Sequence, residues 1–144
     1  MNQWAAIVFP ILPVFVDRLL VEKRKVFVKY IARNGAQIKP KQKVLFYVSR
    51  SSKEIVGEGQ IVEIEFLTPD EVFAKHGDKV FLKKDELVQY ALKQPNRDTS
   101  KKMLVLVLTR LKRYPKPVKC KKGMTMAGQY LTEDDYKELM TMMK

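Results

Sequence analysis

Residues 101–130, KKMLVLVLTRLKRYPKPVKCKKGMTMAGQY, decide the fold of this chain. They begin with six consecutive apolar residues, Met103 to Leu108, between polar neighbours. An apolar run of this length is typical of a β-strand that is buried on both faces. Pro115, Pro117 and Gly123 then predict a shaped loop, because proline lacks the N–H that a helix or a central strand requires.

The same segment is strongly basic. Between Lys101 and Lys122 it holds nine lysine and arginine residues and neither aspartate nor glutamate. A central strand that leads into a basic loop with an aromatic side chain can hold an anionic ligand against a rigid sheet. The segment therefore predicts a domain that binds nucleic acid.

The charge of the whole chain supports this interpretation. The 144 residues include 28 lysines and arginines against 16 aspartates and glutamates, which gives a formal net charge of +12. The cations are concentrated toward the two ends, and residues 53–100 are mildly acidic. A lysine-rich thermophile surface is the alternative, but there lysine and glutamate increase together, whereas here lysine predominates. We expect one domain, residues 1–144, with a basic face for a polyanion.

Residues that are rare or missing disfavour several other classes of protein. His76 and Cys120 are the only histidine and cysteine, so these residues cannot form a zinc set or an internal disulfide. No nucleotide-binding glycine motif or nucleophile elbow occurs, and we expect no metal and no cofactor. No apolar stretch approaches the roughly 20 residues of a membrane span. Pro10 and Pro13 interrupt the apolar start, so we expect a cytoplasmic protein without a membrane partner.

Hydrophobic patterns predict the other elements and an α+β fold. Strands are expected at residues 5–11, 26–31, 44–48 and 54–66, and helices from Pro13 to the 22–25 turn, from Thr68 to His76, over 82–92 and from Thr132. Gly57 and Gly59 interrupt the longest of these strands, which predicts a bulge or a close approach of another backbone. We therefore expect a curved antiparallel or mixed sheet that closes toward a barrel, with helices at its periphery.

Two stretches, Val56–Ile64 and Leu106–Val118, together with the order of the elements, resemble the PUA-like fold and specifically the ASCH group. The tail Met124–Tyr130 resembles the loop that closes the pocket of that family. The likeness spans nearly the whole chain and is to an archaeal branch in particular. It implies a small curved β-barrel with peripheral helices and a cleft used for RNA or a modified base.

One departure from the family bears on catalysis. ASCH domains usually carry Gly-x-Lys-x-x-Glu after the first helix, and their amidohydrolase members have threonine in place of the glutamate. The matching run here is Lys23–Val28, which keeps the lysine as Lys25 but replaces the glycine by Lys23 and the acid or threonine by Val28. Valine can neither attack a carbonyl nor relay a proton, so hydrolysis by the family's arrangement should fail.

These observations predict an RNA-binding module that recognises a single-stranded or modified nucleotide in a basic cleft between Lys23–Arg33 and Lys112–Tyr130. The expected nucleic-acid contacts are Lys23, Arg24, Lys25, Lys29, Arg33, Tyr47, Lys112, Arg113, Lys116, Lys119, Lys121, Lys122, Gln129 and Tyr130. By the family resemblance, Lys25, Lys29, Glu58 and Gln129 surround one pocket.

Two other functions stay open at the level of the sequence. One is a metal-independent enzyme that acts on RNA or on a nucleobase, as a ribonuclease or an amidohydrolase, with Lys25, Glu58 and Glu63 as its catalytic residues. The other is a protein-interaction module, for which binding would depend only weakly on salt. The sequence leaves undecided whether the polyanion is RNA or DNA.

Overall fold

The computed structural model of the chain describes residues 4–29, 38–48, 54–83, 85–87, 89, 102–119 and 129–142, which form one sheet with helices packed around it. The strands are β1 (Trp4–Ile11), β2 (Val26–Lys29), β3 (Lys43–Val48), β4 (Glu54–Leu67), β5 (Met103–Lys119) and β6 (Gln129–Thr132). The helices are α1 (Pro13–Leu20), α2 (Pro69–His76) and α3 (Glu133–Met142), and a 3-10 turn covers Gly77–Lys79. The α+β class predicted from the sequence is therefore confirmed.

The sheet is mixed and has the strand order β2-β5-β4-β3-β1-β6. Strands β1 and β3 are parallel, and the other neighbours are antiparallel. The expected closure into a barrel is wrong, because β2 and β6 lie at opposite edges and do not pair. The outer edge of β2 instead meets the chain after the 3-10 turn, where the Phe81 N–H donates to the Val26 carbonyl at 3.1 Å.

Strand β5 is the longest strand and corrects the prediction of a loop after Leu108. It pairs with β4 from Met103, opposite Leu67, to Lys119, opposite Glu54. Between the Arg113–Gly57 pair and the Val118–Ile55 pair, β5 has more residues than β4, so the ladder bulges. The exposed Pro115 and Pro117 lie in that bulge, where a missing N–H removes no ladder bond. The prolines therefore shape a strand rather than ending it.

Each face of the sheet covers its own apolar cluster. The larger cluster includes Phe9, Phe27, Phe46 and Leu19, and α1 packs on it. The smaller cluster lies on the opposite face, where α3 covers it with Tyr136, Leu139 and Met140. Its buried members are Ala6, Val8, Leu45, Tyr47, Ile55, Tyr114, Val118 and Leu131. The alternation of side chains along β1 and β3 produces the two faces.

The helix starts agree with the sequence, and one helix end does not. Thr68 and Glu71 form the expected capping box at the start of α2. Helix α1 begins at Pro13 but ends at Leu20, before the predicted 22–25 turn. The Glu22 N–H reaches back to the Asp17 carbonyl at 2.8 Å, and Lys23 has a φ of 59°. A residue in this left-handed region turns the chain away from the helix axis.

Within the predicted 82–92 helix, residues 85–87 and Gln89 have helical backbone, and much of that range lies outside the described residues. Among the residues that the structure describes, no helix is both long and apolar enough to cross a lipid bilayer.

The two glycines of β4 should respond unequally to replacement by alanine. A Cβ at Gly57 would lie 2.6 Å from the Lys112 carbonyl oxygen, whereas the nearest atom to a Cβ at Gly59 is Leu111 Cδ2 at 2.8 Å. A leucine side chain can rotate away, but a paired backbone carbonyl cannot. We expect Gly57→Ala to lower the free energy of unfolding by about 1–3 kcal/mol, the usual cost of overpacking, and Gly59→Ala to lower it less. Urea denaturation of both variants measures this difference, and equal losses would contradict the close approach at Gly57.

Candidate functional site

A cleft of about 490 Å³ opens where β1 passes into α1. Its walls come from three segments of the chain: the β1–α1 junction, strand β2, and the residues that follow the 3-10 turn. The lining residues are Pro10, Ile11, Leu12, Phe15, Phe27, Val28, Lys29, Phe81, Leu82, Asp85, Glu86 and Gln89. A concave and mostly apolar site with a few polar groups is the usual form of a small-ligand pocket.

Phenylalanine rings form much of the apolar wall. Phe27 stacks on Phe81 with ring centres 5.0 Å apart, and Phe15 meets Phe81 edge-on at 5.7 Å. Behind them, Phe9 stacks on Phe27 at 5.5 Å. These contacts hold the rings in place. Phe27 and Phe81 are 2% and 5% exposed and also belong to the larger apolar cluster.

Lys29 brings a cation into this apolar cleft. Its ammonium nitrogen lies 5.8 Å from the centre of the Phe9 ring, and within the described residues it has no hydrogen bond or ion pair. Burial lowers the pKa of Lys29 below its ordinary value, because desolvation penalises the charged form. A titratable group in a cleft whose pKa is shifted by desolvation is a candidate for a functional role.

The carboxylates of the cleft lie at its other wall. Glu86 is paired with Arg18, and it also accepts the Lys83 N–H at 2.8 Å. The hydrogen bond from Arg18 lowers the pKa of Glu86, so the carboxyl group is ionised at neutral pH. Asp85 is exposed beside it. Among the described residues the lining contains one lysine and two carboxylates, and the basic cleft between Lys23–Arg33 and Lys112–Tyr130 stays a prediction.

The predicted cations lie instead along the second half of β5 and the turn before β2. The exposed side chains Lys23, Lys25, Lys112, Arg113 and Lys116 make up this basic strip. The Lys23 ammonium donates to the Leu111 carbonyl, and the Leu108 N–H donates to the Lys25 carbonyl at 2.7 Å, which brings the two segments together.

Arg113 of the strip has an acidic partner, and two further arginines, Arg24 and Arg110, lie in the same region. Arg113 contacts Asp17 of α1 at 3.2 Å. Arg24 is turned toward the Asp78 carbonyl and Glu22. Arg110 is exposed on β5 with a φ of 52° and is not among the contacts predicted from the sequence.

Glu58 lies on the opposite face of the sheet from the cleft, so it does not share a pocket with Lys29. It is 1% exposed. Its Oε1 accepts hydrogen bonds from the Tyr114 and Tyr136 hydroxyls at 2.8 and 2.7 Å. Its Oε2 lies 3.1 Å from the Lys43 ammonium. Burial and the neighbouring carboxylate raise the pKa of both tyrosines. This polar cluster attaches α3 to the sheet.

The tyrosines expected to stack on bases do not line the cleft. Tyr47 is 5% exposed beneath α3. Tyr130 on β6 packs against Trp4, with ring centres 5.4 Å apart, and burial raises its pKa. Glu63 is exposed on β4. Arg33, Lys121 and Lys122, and the side chains of Lys119 and Gln129, lie outside the described residues.

Phe15, Phe27 and Phe81 are the aromatic residues that line the cleft in the described part of the chain. Each occupies an apolar position of a strand, a helix or a turn, so no pattern in the sequence marks it as a ligand contact.

Comparison with known proteins identifies relatives of this chain. A family model described as "Domain of unknown function (DUF365)" matches residues 4–133. An uncharacterised protein of Methanocaldococcus jannaschii is 30% identical over 105 residues, which cover 68% of this chain and 96% of that protein.

Solved structures share the fold at low sequence identity. The ASCH protein of Zymomonas mobilis has a TM-score of 0.77 at 14% identity, covering 95% of this chain and 94% of that one. The N-terminal domain of Staphylothermus marinus McrB has a TM-score of 0.63 at 14% identity, covering 98% of both chains. The ASCH-type fold predicted from the sequence is confirmed.

The Glu58 cluster predicts a stability difference between two tyrosine variants. Tyr136→Phe removes a hydrogen bond to a buried carboxylate, and we expect it to lower the free energy of unfolding by about 1.5–3 kcal/mol. Tyr130→Phe is the matched control, because the Tyr130 hydroxyl has no hydrogen bond within the described residues. We expect the control to change the free energy by less than about 0.5 kcal/mol. Denaturant unfolding measures the free energy for both variants. A free energy of unfolding that Tyr136→Phe leaves unchanged would show that Glu58 does not hold α3.

Proposed function

We propose that this chain, which belongs to the DUF365 family and has the fold of ASCH-domain proteins, is an RNA-binding domain formed by residues 1–144. It recognises a single-stranded or modified nucleotide. The observation that carries the proposal is the aromatic cleft with an unpaired lysine, close to a separate strip of exposed cations. The resemblance to the ASCH group implies the same class of ligand.

In this proposal the two regions have different tasks. The nucleobase enters the cleft and contacts the rings of Phe15, Phe27 and Phe81. Contact between a base and an aromatic side chain contributes about 1–3 kcal/mol per base. The two lining carboxylates repel phosphate but not an uncharged base, so the cleft favours the base over the backbone.

The phosphates bind outside the cleft, at the basic strip. Helix α1 connects the two regions: Phe15 lines the cleft, and Asp17 contacts Arg113 of the strip. An eight-residue helix is about 12 Å long, so one short oligonucleotide can span both regions. Arg33, Lys119, Lys121 and Lys122 are added to the proposed phosphate contacts from the sequence.

Catalysis by Lys25, Glu58 and Glu63 has less support. The Glu58 carboxylate is sealed by two tyrosines and a lysine on the face away from the cleft. Val28 lines the cleft at the position where the family resemblance requires a threonine or an acid. We therefore propose a binding module rather than a nuclease or an amidohydrolase.

RNA binding should depend on salt through the basic strip. For single strands the logarithm of affinity falls with the logarithm of salt concentration by about 0.7 per phosphate contact. A variant with Lys112, Arg113 and Lys116 all changed to glutamine should have a slope smaller by about 2 than the wild-type slope. Fluorescence anisotropy with a labelled uridine octamer at several salt concentrations measures both slopes.

The matched control for that experiment removes the same charge elsewhere. Lys39, Lys79 and Lys137 are also exposed and lie outside the strip, and their change to glutamine should leave the slope nearly as it is. Equal slopes for the two triple variants would contradict phosphate binding at the strip. Binding that is independent of salt would favour the protein-interaction alternative.

The chain should not deacylate N4-acetylcytidine, because Val28 cannot supply the nucleophile or the proton relay. Incubation with that nucleoside followed by chromatography should show unchanged substrate. Turnover that disappears in a Lys25→Ala variant would overturn the assignment as a binding module. Turnover that persists in that variant would point to a contaminating enzyme.

A further inference from the structure

Lys29 is the one cation among the described residues that line the cleft. Its ammonium group carries only hydrogen-bond donors, and in the described residues no acceptor occupies them. Burying a charge without a hydrogen-bonding partner is costly, and the lowered pKa of Lys29 reflects that cost. A ligand that brings an acceptor to this nitrogen recovers part of the cost.

The second relevant group is Asp85, which lines the same cleft and is exposed. Within the described residues its carboxylate has no hydrogen bond or ion pair, unlike Glu86, which is held by Arg18. Ionised aspartate only accepts hydrogen bonds. Among the described lining residues, the polar groups without a hydrogen bond are therefore a donor at Lys29, an acceptor at Asp85 and the Gln89 amide, which can both donate and accept.

We propose that Lys29 makes the cleft selective for bases with a carbonyl oxygen at the exocyclic edge position, uracil and guanine, over cytosine and adenine. Uracil and guanine present an acceptor oxygen there, whereas cytosine and adenine present an amino donor. Cytosine and adenine also carry a donor beside an acceptor, the amino group next to a ring nitrogen, so the proposed selectivity arises when the exocyclic group, rather than the ring nitrogen, faces Lys29. If the amino group of cytosine or adenine faces the Lys29 ammonium, two hydrogen-bond donors meet and neither has an acceptor. This inference rests on the proposed function and adds the class of base.

The test uses single-stranded RNA octamers that differ only in that exocyclic group. Uridine and cytidine octamers compare a carbonyl with an amino group on pyrimidines of one size. Inosine and adenosine, placed at the same position of one mixed oligonucleotide, make the same comparison on purines. We expect wild-type protein to bind the carbonyl member of each pair about tenfold more tightly.

The variant Lys29→Met keeps an unbranched side chain of similar length and removes all donors. Its affinity ratio between the uridine and cytidine octamers should fall to about one. Lys25→Met is the matched control, because Lys25 is an exposed lysine of the basic strip. It removes the same charge, so it should weaken binding of both octamers equally and keep the ratio. Circular dichroism and thermal unfolding check the fold of both variants, and Lys29→Gln replaces Lys29→Met if the latter does not fold.

The affinity ratios separate failure of this inference from failure of the proposed function. A wild-type ratio near one, or a ratio that Lys29→Met retains, overturns selection of carbonyl bases while RNA binding itself stands. A preference for the cytidine octamer would mean that the carboxylates select the base, and it also overturns selection of carbonyl bases by Lys29. Failure of wild-type protein to bind any of the octamers at low salt overturns the proposed function together with this inference.

Discussion

The antiparallel pairing of β4 with β5 is the constraint on which the rest of the structure depends. The first half of β5, opposite Leu67 to Glu63, also carries β2 on its other edge, with Lys29 opposite Leu104. The second half continues past β2 as an edge that bears the basic strip. One strand therefore positions both the wall of the cleft and the cations beside it. The close approach at Gly57 lets the two strands and α1 meet without a side chain between them.

The buried Glu58 has a structural task rather than a catalytic one. Two tyrosine hydroxyls and a lysine satisfy its oxygens, which is the condition for a buried charge to be tolerated. Because one of these tyrosines belongs to α3, the carboxylate ties the C-terminal helix to the sheet. The glycines on each side let the strands pack closely there, which agrees with the close backbone approach predicted from the sequence.

Short sequence patterns predicted those strands and helices that form through interactions between neighbouring residues. Strands β1 and β3 follow from apolar runs, and α2 follows from the Thr68 capping box. Strand β5 beyond Leu108 could not be predicted, since its prolines are tolerated only through a bulge against β4. In the Glu58 cluster, Tyr114 lies 56 positions and Tyr136 lies 78 positions after Glu58 in the chain. No short sequence motif encodes contacts over such separations.

The candidate site was predictable only in part for the same reason. Lys29 was selected for its charge, and the structure brings it into a cleft with three phenylalanines. Those rings look in the sequence like ordinary core residues. Whether an apolar ring faces the core or a cleft depends on how β2, α1 and the chain after the 3-10 turn pack together. The same packing separates the carboxylates of the cleft from the cations of β5, a separation that net charge alone could not indicate.

The position of each cation also determines how strongly it indicates a bound ligand. Beyond Leu108 the outer edge of β5 is not paired with another strand among the described residues. Exposed strand edges commonly carry lysines and prolines, because these residues prevent pairing with other chains. The cations of the basic strip therefore have a structural reason to be there even without RNA. Lys29 also lies on an edge strand, β2, but its ammonium is partly buried in the cleft, and the contact with the Phe9 ring offsets only part of the cost of desolvation. A single lysine inside an aromatic cleft is thus a stronger indication of a ligand than the cation-rich segment that dominates the sequence.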